Sequence, residues 1–145
     1  MASILSVAKY IHSQTGDISA MKLQKLAYYS QSWTLVWDEN ELFSEDFEAW
    51  ANGPVSPVLY NIHRGEFKIT ETMFSCIEDD LTKKEKENID KILEHYGDKT
   101  AQWLSDLTHM EDPWLNARKE ACVEEGEICS QTITKGEIHL YYSGL

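Results

Sequence analysis

The chain has 145 residues and a formal net charge of −12, and such an acidic surface disfavours direct binding to nucleic acid. A chain of this length fits one domain, which we expect to span residues 1–145. Three cysteines without a CxxC pair or zinc-finger spacing, and no apolar run of membrane-spanning length, favour a cytoplasmic protein with no metal, no cofactor and no membrane contact.

The first predicted helix covers residues 3–14. Ser3 is a suitable N-cap, and Gly16 follows the last apolar position as a helix terminator. The second predicted helix, over residues 19–37, differs because it is apolar on nearly every face and carries charge only in its first turns. A helix of this composition is typical of a buried position.

The helix over residues 19–37 is therefore predicted to be the centre of the fold. Leu26, Ser30, Trp33 and Trp37 recur at helical spacing along one face, and we expect the first three to be largely free of solvent. Aromatic side chains in this pattern are more typical of a core than of a ligand site. The predicted fold class is mainly α, a compact bundle around this buried helix.

The pattern then changes to an acidic segment, with six acidic and no basic residues between positions 38 and 48. Residues 46–51 alternate as in a short half-buried strand, and Asn52-Gly53-Pro54 is a turn signal. Residues 66–70 also alternate and indicate a second short strand that could pair with the first. The fold is thus predicted to contain a small β element.

Five further helices are predicted from capping signals and apolar periodicity. They cover residues 57–63, 83–96, 100–110, 113–124 with Asp112 as the N-cap, and a final stretch that begins at 134. In the helix over 100–110 we expect Trp103, Leu104, Leu107 and Met110 to share one face.

No catalytic constellation is recognisable in the sequence. It contains no G-x-S-x-G elbow, no phosphate-binding glycine loop and no H-E-x-x-H pair. His63 and His109 could meet in space, but each is more typical of a surface or helix-end histidine. We therefore expect no enzymatic activity.

A series of short motifs runs along most of the chain. They are Leu23-Gln24-Lys25-Leu26, Tyr28-Tyr29, Gln31-x-Trp33, Leu42-Phe43, Phe47-Glu48-Ala49-Trp50, Gly53-Pro54-Val55 with Pro57 and Tyr60, Tyr96-Gly97, Leu107-Thr108-His109, Pro113-Trp114 and Ala117-Arg118. In type and order they resemble those of the Panacea domain family, the SocA-like antitoxins of phages, prophages and toxin–antitoxin pairs. Residues 71–81 and 120–131 match least.

The resemblance implies a non-enzymatic protein that binds a toxin and neutralises it, in some members by delivering the toxin to a protease. It leaves the toxin unnamed, because members pair with toxins of unrelated kinds. The alternative is a phage-type acidic inhibitor or decoy of a host nucleic-acid enzyme or defence protein. The clustering of acidic residues at 38–48 and 120–127 suits a decoy less well than an even array would.

The family motifs also have a structural interpretation. The apolar residues of the first motif belong to the core, and Gly53-Pro54 fixes a turn. Arg118 is expected to pair with an acidic residue such as Glu111 or Asp112 and so to fasten the start of a helix.

The partner-binding surface is predicted at the acidic segment, where apolar anchors with a charged rim would suit a basic toxin. The predicted residues are Glu41, Phe43, Glu45, Asp46, Phe47 and Trp50. The alternative, at least as strong for Phe47 and Trp50, is that the aromatic rings cover the central helix while the acidic residues only solvate the loop. We expect folding to constrain the acidic residues less than the aromatic ones.

Overall fold

The computed structural model describes residues 2–145, and within them it contains seven α-helices, a short 3-10 helix and three short strands. The helices are α1 (Ile4–Thr15), α2 (Ala20–Asp38), α3 (Pro57–His63), α4 (Lys83–Tyr96), α5 (Ala101–Thr108), α6 (Asp112–Glu120) and α7 (Lys135–Ser143). The 3-10 helix is Glu71–Phe74, and the strands are β1 (Phe47–Trp50), β2 (Gly53–Val55) and β3 (Thr132–Ile133). The predicted fold class, mainly α with a small β element, is confirmed.

Helix α2 lies at the centre of the fold, as predicted. The hydroxyl of Ser19 accepts the backbone N–H of Lys22 and caps the first turn. Helices α1, α4, α5 and α7 and strand β2 all pack against α2. Leu26 and Ser30 have no exposed surface, and Ser30 is tolerated there because its hydroxyl donates to the carbonyl of Leu26 at 2.8 Å.

The aromatic face of α2 is not buried along its whole length. Trp33 is only partly buried, contrary to the prediction, and Trp37 exposes 41% of its surface. Tyr142 of α7 covers part of Trp33, with ring centres 5.7 Å apart, but a groove remains between the last two turns of α2 and helix α4.

The three strands form one antiparallel sheet in the order β2-β1-β3. The predicted pairing of residues 66–70 with β1 is wrong. That segment lies at the start of α2, where Ala20 N–H donates to the carbonyl of Phe67 and Ile69 N–H donates to the carbonyl of Ile18, both at 2.8 Å. Strand β3, which was not predicted, takes the place beside β1.

Helix α6 differs most from its predicted bounds. It begins at Asp112, with Glu111 in the N-cap position, and ends at Glu120 instead of 124. It stops early because Cys122 adopts a left-handed backbone with φ of 57°, a conformation that a helix does not continue through.

The predicted face of α5 is only half covered. Leu104 is buried and Leu107 is partly buried, but Trp103 and Met110 expose 44% and 69% of their surface. The helix ends at Thr108, so Met110 lies beyond its last turn and outside the helical spacing that the prediction assumed.

Candidate partner-binding surface

The glutamine of the first family motif holds the entry to α3. The side-chain amide of Gln24 accepts the Ser56 N–H at 2.9 Å and donates to the Ser56 carbonyl at 3.2 Å. The same NH2 group lies 3.0 Å from Nε2 of His63. Because an amide NH2 can only donate, Nε2 accepts and the ring is neutral, which agrees with burial lowering the pKa of His63.

The lysine of the same motif is completely buried beneath strand β2. Its ammonium nitrogen donates to the carbonyl of Pro54 at 3.2 Å, and burial lowers the pKa of Lys25 to about 7. A Cβ atom on Gly53 would lie 2.6 Å from Cε of Lys25 and 2.8 Å from Oγ1 of Thr108. Glycine is therefore required at position 53 by this close approach as well as by its φ of +115°.

A second buried polar cluster joins α2 to α7. Oε1 of Glu111 accepts the hydroxyl of Tyr29 at 2.6 Å and the hydroxyl of Tyr142 at 2.8 Å. Burial raises the pKa of the Glu111 carboxyl, although these two hydrogen bonds oppose the shift. Glu111 is thus part of the core and is not a partner of Arg118, so that expectation is wrong.

Arg118 instead clamps backbone carbonyls. Its buried guanidinium donates to the carbonyl of Ala49 at 2.9 Å, to that of Glu124 at 2.9 Å and to that of Glu127 at 2.7 Å. The guanidinium carbon also lies 5.1 Å from the ring centre of Trp114. One side chain therefore fastens the loop after α6 to strand β1.

The acidic residues of the predicted site make contacts within the protein, which the sequence did not indicate. Oε1 of Glu45 accepts the Ile4 N–H at 3.0 Å, a free donor in the first turn of α1. Lys135 Nζ lies 2.7 Å from a carboxylate oxygen of Asp46 and 3.6 Å from one of Glu41. Folding thus constrains these acidic residues more than we expected.

The aromatic residues of the predicted site divide into two kinds. Phe43 and Phe47 are buried in the core, with Phe47 against Tyr28, which agrees with the inward-facing alternative. Trp50 remains half-buried, with its ring 5.0 Å from that of Tyr60.

The predicted residues that reach the surface are therefore Glu41, Glu45, Asp46 and Trp50. Lys135 was missed as their neighbour, because the only sequence signal near it was the cap formed by Thr134 and Glu137.

The fold brings the two acidic parts of the sequence next to each other. Residues 131–133 pair with β1, and Arg118 holds both β1 and the loop over 121–131. In residues 2–145, no Lys, Arg or His side chain forms an ion pair with the acidic residues at 120–127. These residues are exposed, and the carboxylate of Glu127 accepts the Glu124 N–H at 2.7 Å.

The geometry offers no catalytic cluster at the two histidines considered above. His63 contacts Gln24, whereas His109 stacks on Trp114 with ring centres 4.0 Å apart. In the described part of the chain, no group of three or more His, Cys, Asp or Glu side chains is arranged to hold a metal ion. No helix among residues 2–145 is long and apolar enough to cross a membrane.

Comparison with known families gives one match. The model of the antitoxin SocA-like family, the Panacea domain, matches residues 23–115, from α2 to the first turn of α6. Neither a curated protein nor a solved structure matches the chain significantly. The family match covers more than half of the 145 residues. The chain therefore belongs to the SocA-like antitoxin family, which supports an antitoxin-type role and a protein partner.

Proposed function

We propose that this protein neutralises a cognate toxin by binding it directly and blocking it. The support for this proposal is family membership over residues 23–115, the part of the chain that contains most of α2 and the β1–β2 hairpin. The formal net charge of −12 favours a toxin with a basic contact surface, because complementary charge speeds association and excludes unsuitable partners.

We propose further that the toxin contacts the acidic surface, defined as the exposed residues of segments 38–50 and 120–131. The observation that supports this choice is the Arg118 clamp, which makes the two segments neighbours and holds the second segment in place. A loop that is already ordered loses little conformational entropy on binding. In this proposal the exposed Asp46 and the half-buried Glu41 and Trp50 beside it contribute from the first segment, and the buried Phe43 and Phe47 support that segment.

The test begins with the reading frame adjacent to the gene for this chain. Expressed alone, its product should arrest growth, and co-expression of the wild-type chain should restore growth and yield a stable complex of the two proteins. A stop codon early in the gene for this chain provides the control. A harmless neighbour, or rescue without any physical complex, would contradict the proposal.

The lifetime of the toxin separates direct blocking from proteolytic delivery. We expect the toxin's half-life in the cell to stay the same or lengthen when the chain is present, because a blocked toxin is protected in the complex. A shortened half-life that depends on a cellular protease would show a degradation adaptor instead. Inhibition of a DNA-binding enzyme that added DNA reverses, without rescue from the neighbouring gene product, would show the decoy.

A further inference from the structure

A groove of about 330 Å³ opens between the C-terminal halves of α2 and α4. It is lined by Trp33, Trp37, Lys91, Ile92, His95 and Tyr96. The two indole rings lie 5.9 Å apart and are tilted by 31°, so they present a bent aromatic wall. Trp and Tyr are the side chains that most often dominate binding energy at protein interfaces.

The groove has a rigid floor. The indole N–H of Trp33 donates to the hydroxyl of Tyr96 at 3.3 Å, and the Tyr96 ring stacks on Tyr29 with centres 4.5 Å apart. Tyr29 in turn donates to the buried carboxylate of Glu111. The Trp33 half of the aromatic wall is therefore held by the core, and an incoming side chain would not have to order it.

The charge in the groove is opposite to that of the protein as a whole. The chain has 25 acidic residues against 13 Lys and Arg, yet no acidic residue lines this groove. Lys91 Nζ lies 5.1 Å from the ring centre of Trp37. Among residues 2–145, no carboxylate lies within 4.0 Å of it. A carboxylate brought to this position would gain a cation that has no ion-pair partner.

We propose that this α2/α4 groove receives a segment of the cognate toxin in which a bulky apolar side chain lies next to a carboxylate. The apolar side chain packs against Trp33 and Trp37, and the carboxylate pairs with Lys91. This inference rests on the proposed function and adds a second contact to it. Because α2 leads directly into the acidic segment, the toxin meets two neighbouring areas of opposite charge, which fixes its orientation.

The chain offers a matched control for the aromatic contact. Trp103 exposes 44% of its surface, against 41% for Trp37, and it also lies beneath a lysine, with Lys99 Nζ 4.9 Å from its ring centre. Trp103 is not part of the groove. Trp37→Ala should weaken toxin binding about tenfold or more, whereas Trp103→Ala should change it by less than about twofold. The measurement is the Kd of each purified variant for the inactivated toxin, after a thermal melt has verified folding.

The charge is tested separately with Lys91→Glu and its control Lys99→Glu. Lys91→Glu should weaken toxin binding about fivefold, and Lys99→Glu should leave it nearly unchanged. Tighter binding by Lys91→Glu would mean that the groove takes a basic side chain and would overturn the inference.

The two proposals fail in different ways. If the wild-type chain binds the toxin and Trp37→Ala and Lys91→Glu bind it equally well, the inference fails while the proposed function stands. If the wild-type chain neither binds nor neutralises any toxin, the proposed function fails and the inference fails with it.

Discussion

Polar side chains are buried at the contact between α2 and strand β2, whereas those of the acidic surface at 120–127 are exposed. At the first, Gln24 and Lys25 are completely buried, and their side chains bond to the backbone of Pro54 and Ser56. At the second, the carboxylates at 120–127 face solvent and bond to no cation of residues 2–145.

This difference indicates which residues define the fold and which are free to define the partner. A buried polar side chain is costly unless its own bonds are made, so Gln24 and Lys25 permit only one arrangement of the β2–α3 connection. Exposed carboxylates contribute little to stability, so their number and position can change without loss of the fold. The Gln24-Lys25 pair of the first family motif therefore acts in folding.

The largest effect should come from the centre of α2. Leu26→Ala removes a side chain with no exposed surface and should lower the free energy of unfolding by about 2–5 kcal/mol. The control is Leu140→Ala, at a position that exposes 71% of its surface. Urea denaturation measures both, and we expect residues 1–145 to unfold in one transition, as a single domain. If Leu26→Ala lowers the free energy of unfolding as little as Leu140→Ala does, α2 is not the centre of the core.

Gly53→Ala should give the next largest loss. The new Cβ would meet Lys25 and Thr108 at 2.6 and 2.8 Å, and the φ of +115° adds backbone strain. We expect a loss of about 2–4 kcal/mol from overpacking together with strain. Gly65→Ala is the control, since its φ is +85° but nothing lies within 4 Å, and strain alone should cost about 1 kcal/mol. Equal losses in the two variants would show that the close approach to Lys25 does not matter.

Sequence reasoning identified the helices and their starts because these depend on local signals. The hydroxyl of Ser3 caps α1 as its sequence position indicated, and the hydroxyls of Ser19 and Thr82 cap α2 and α4 in the same way. It did not identify β3 as a partner of β1, because two-residue β3 has no periodicity of its own and is defined by contacts distant in sequence. For the same reason the sequence did not predict the hydrogen bond between Glu45 and the Ile4 N–H in the first turn of α1, because the two residues are 41 positions apart.

Lys25 should make stability depend on pH. Its pKa is about 7 in the folded chain and close to the ordinary 10.5 when unfolded, so between these values the unfolded state binds more protons. The free energy of unfolding should therefore rise with pH from about 7 to about 10, by at most about 1.4 kcal/mol per pH unit. Below pH 7 both states are protonated, and the full cost of burying the ammonium remains.

Lys25→Met should abolish this rise. Met is close in size to Lys and carries no charge. The free energy of unfolding of the variant should therefore stay nearly constant between about pH 7 and about pH 10. Lys22→Met is the control, because Lys22 also donates to a backbone carbonyl, that of Gly97, but is only partly buried. Chemical denaturation at a series of pH values measures how the free energy of unfolding changes with pH. If Lys25→Met shows the same rise as the wild type, the rise comes from groups other than Lys25.

The smallest effects on stability should come from the acidic surface, where two triple charge reversals sharpen the comparison. The first variant reverses Glu120, Glu124 and Glu125 to Lys, and the second reverses Glu41, Glu45 and Asp46 to Lys. Both change the net charge equally. The first should leave the melting temperature nearly unchanged, since exposed charges without ion-pair partners contribute little. The second should cost about 1–2 kcal/mol, because it removes the acceptor for the Ile4 N–H and the two carboxylates near Lys135.

Toxin binding should not follow that ranking by stability, so it separates recognition from folding. Stopped-flow association with a basic toxin should slow in both triple variants, and the wild-type rate should fall as salt rises, because long-range attraction between unlike charges is screened. The variant at 120, 124 and 125 is the decisive one, since its folding contacts are intact. If it associates at the wild-type rate with no salt dependence, the toxin approaches another face, and the α2/α4 groove would then have to hold the toxin without an acidic neighbour.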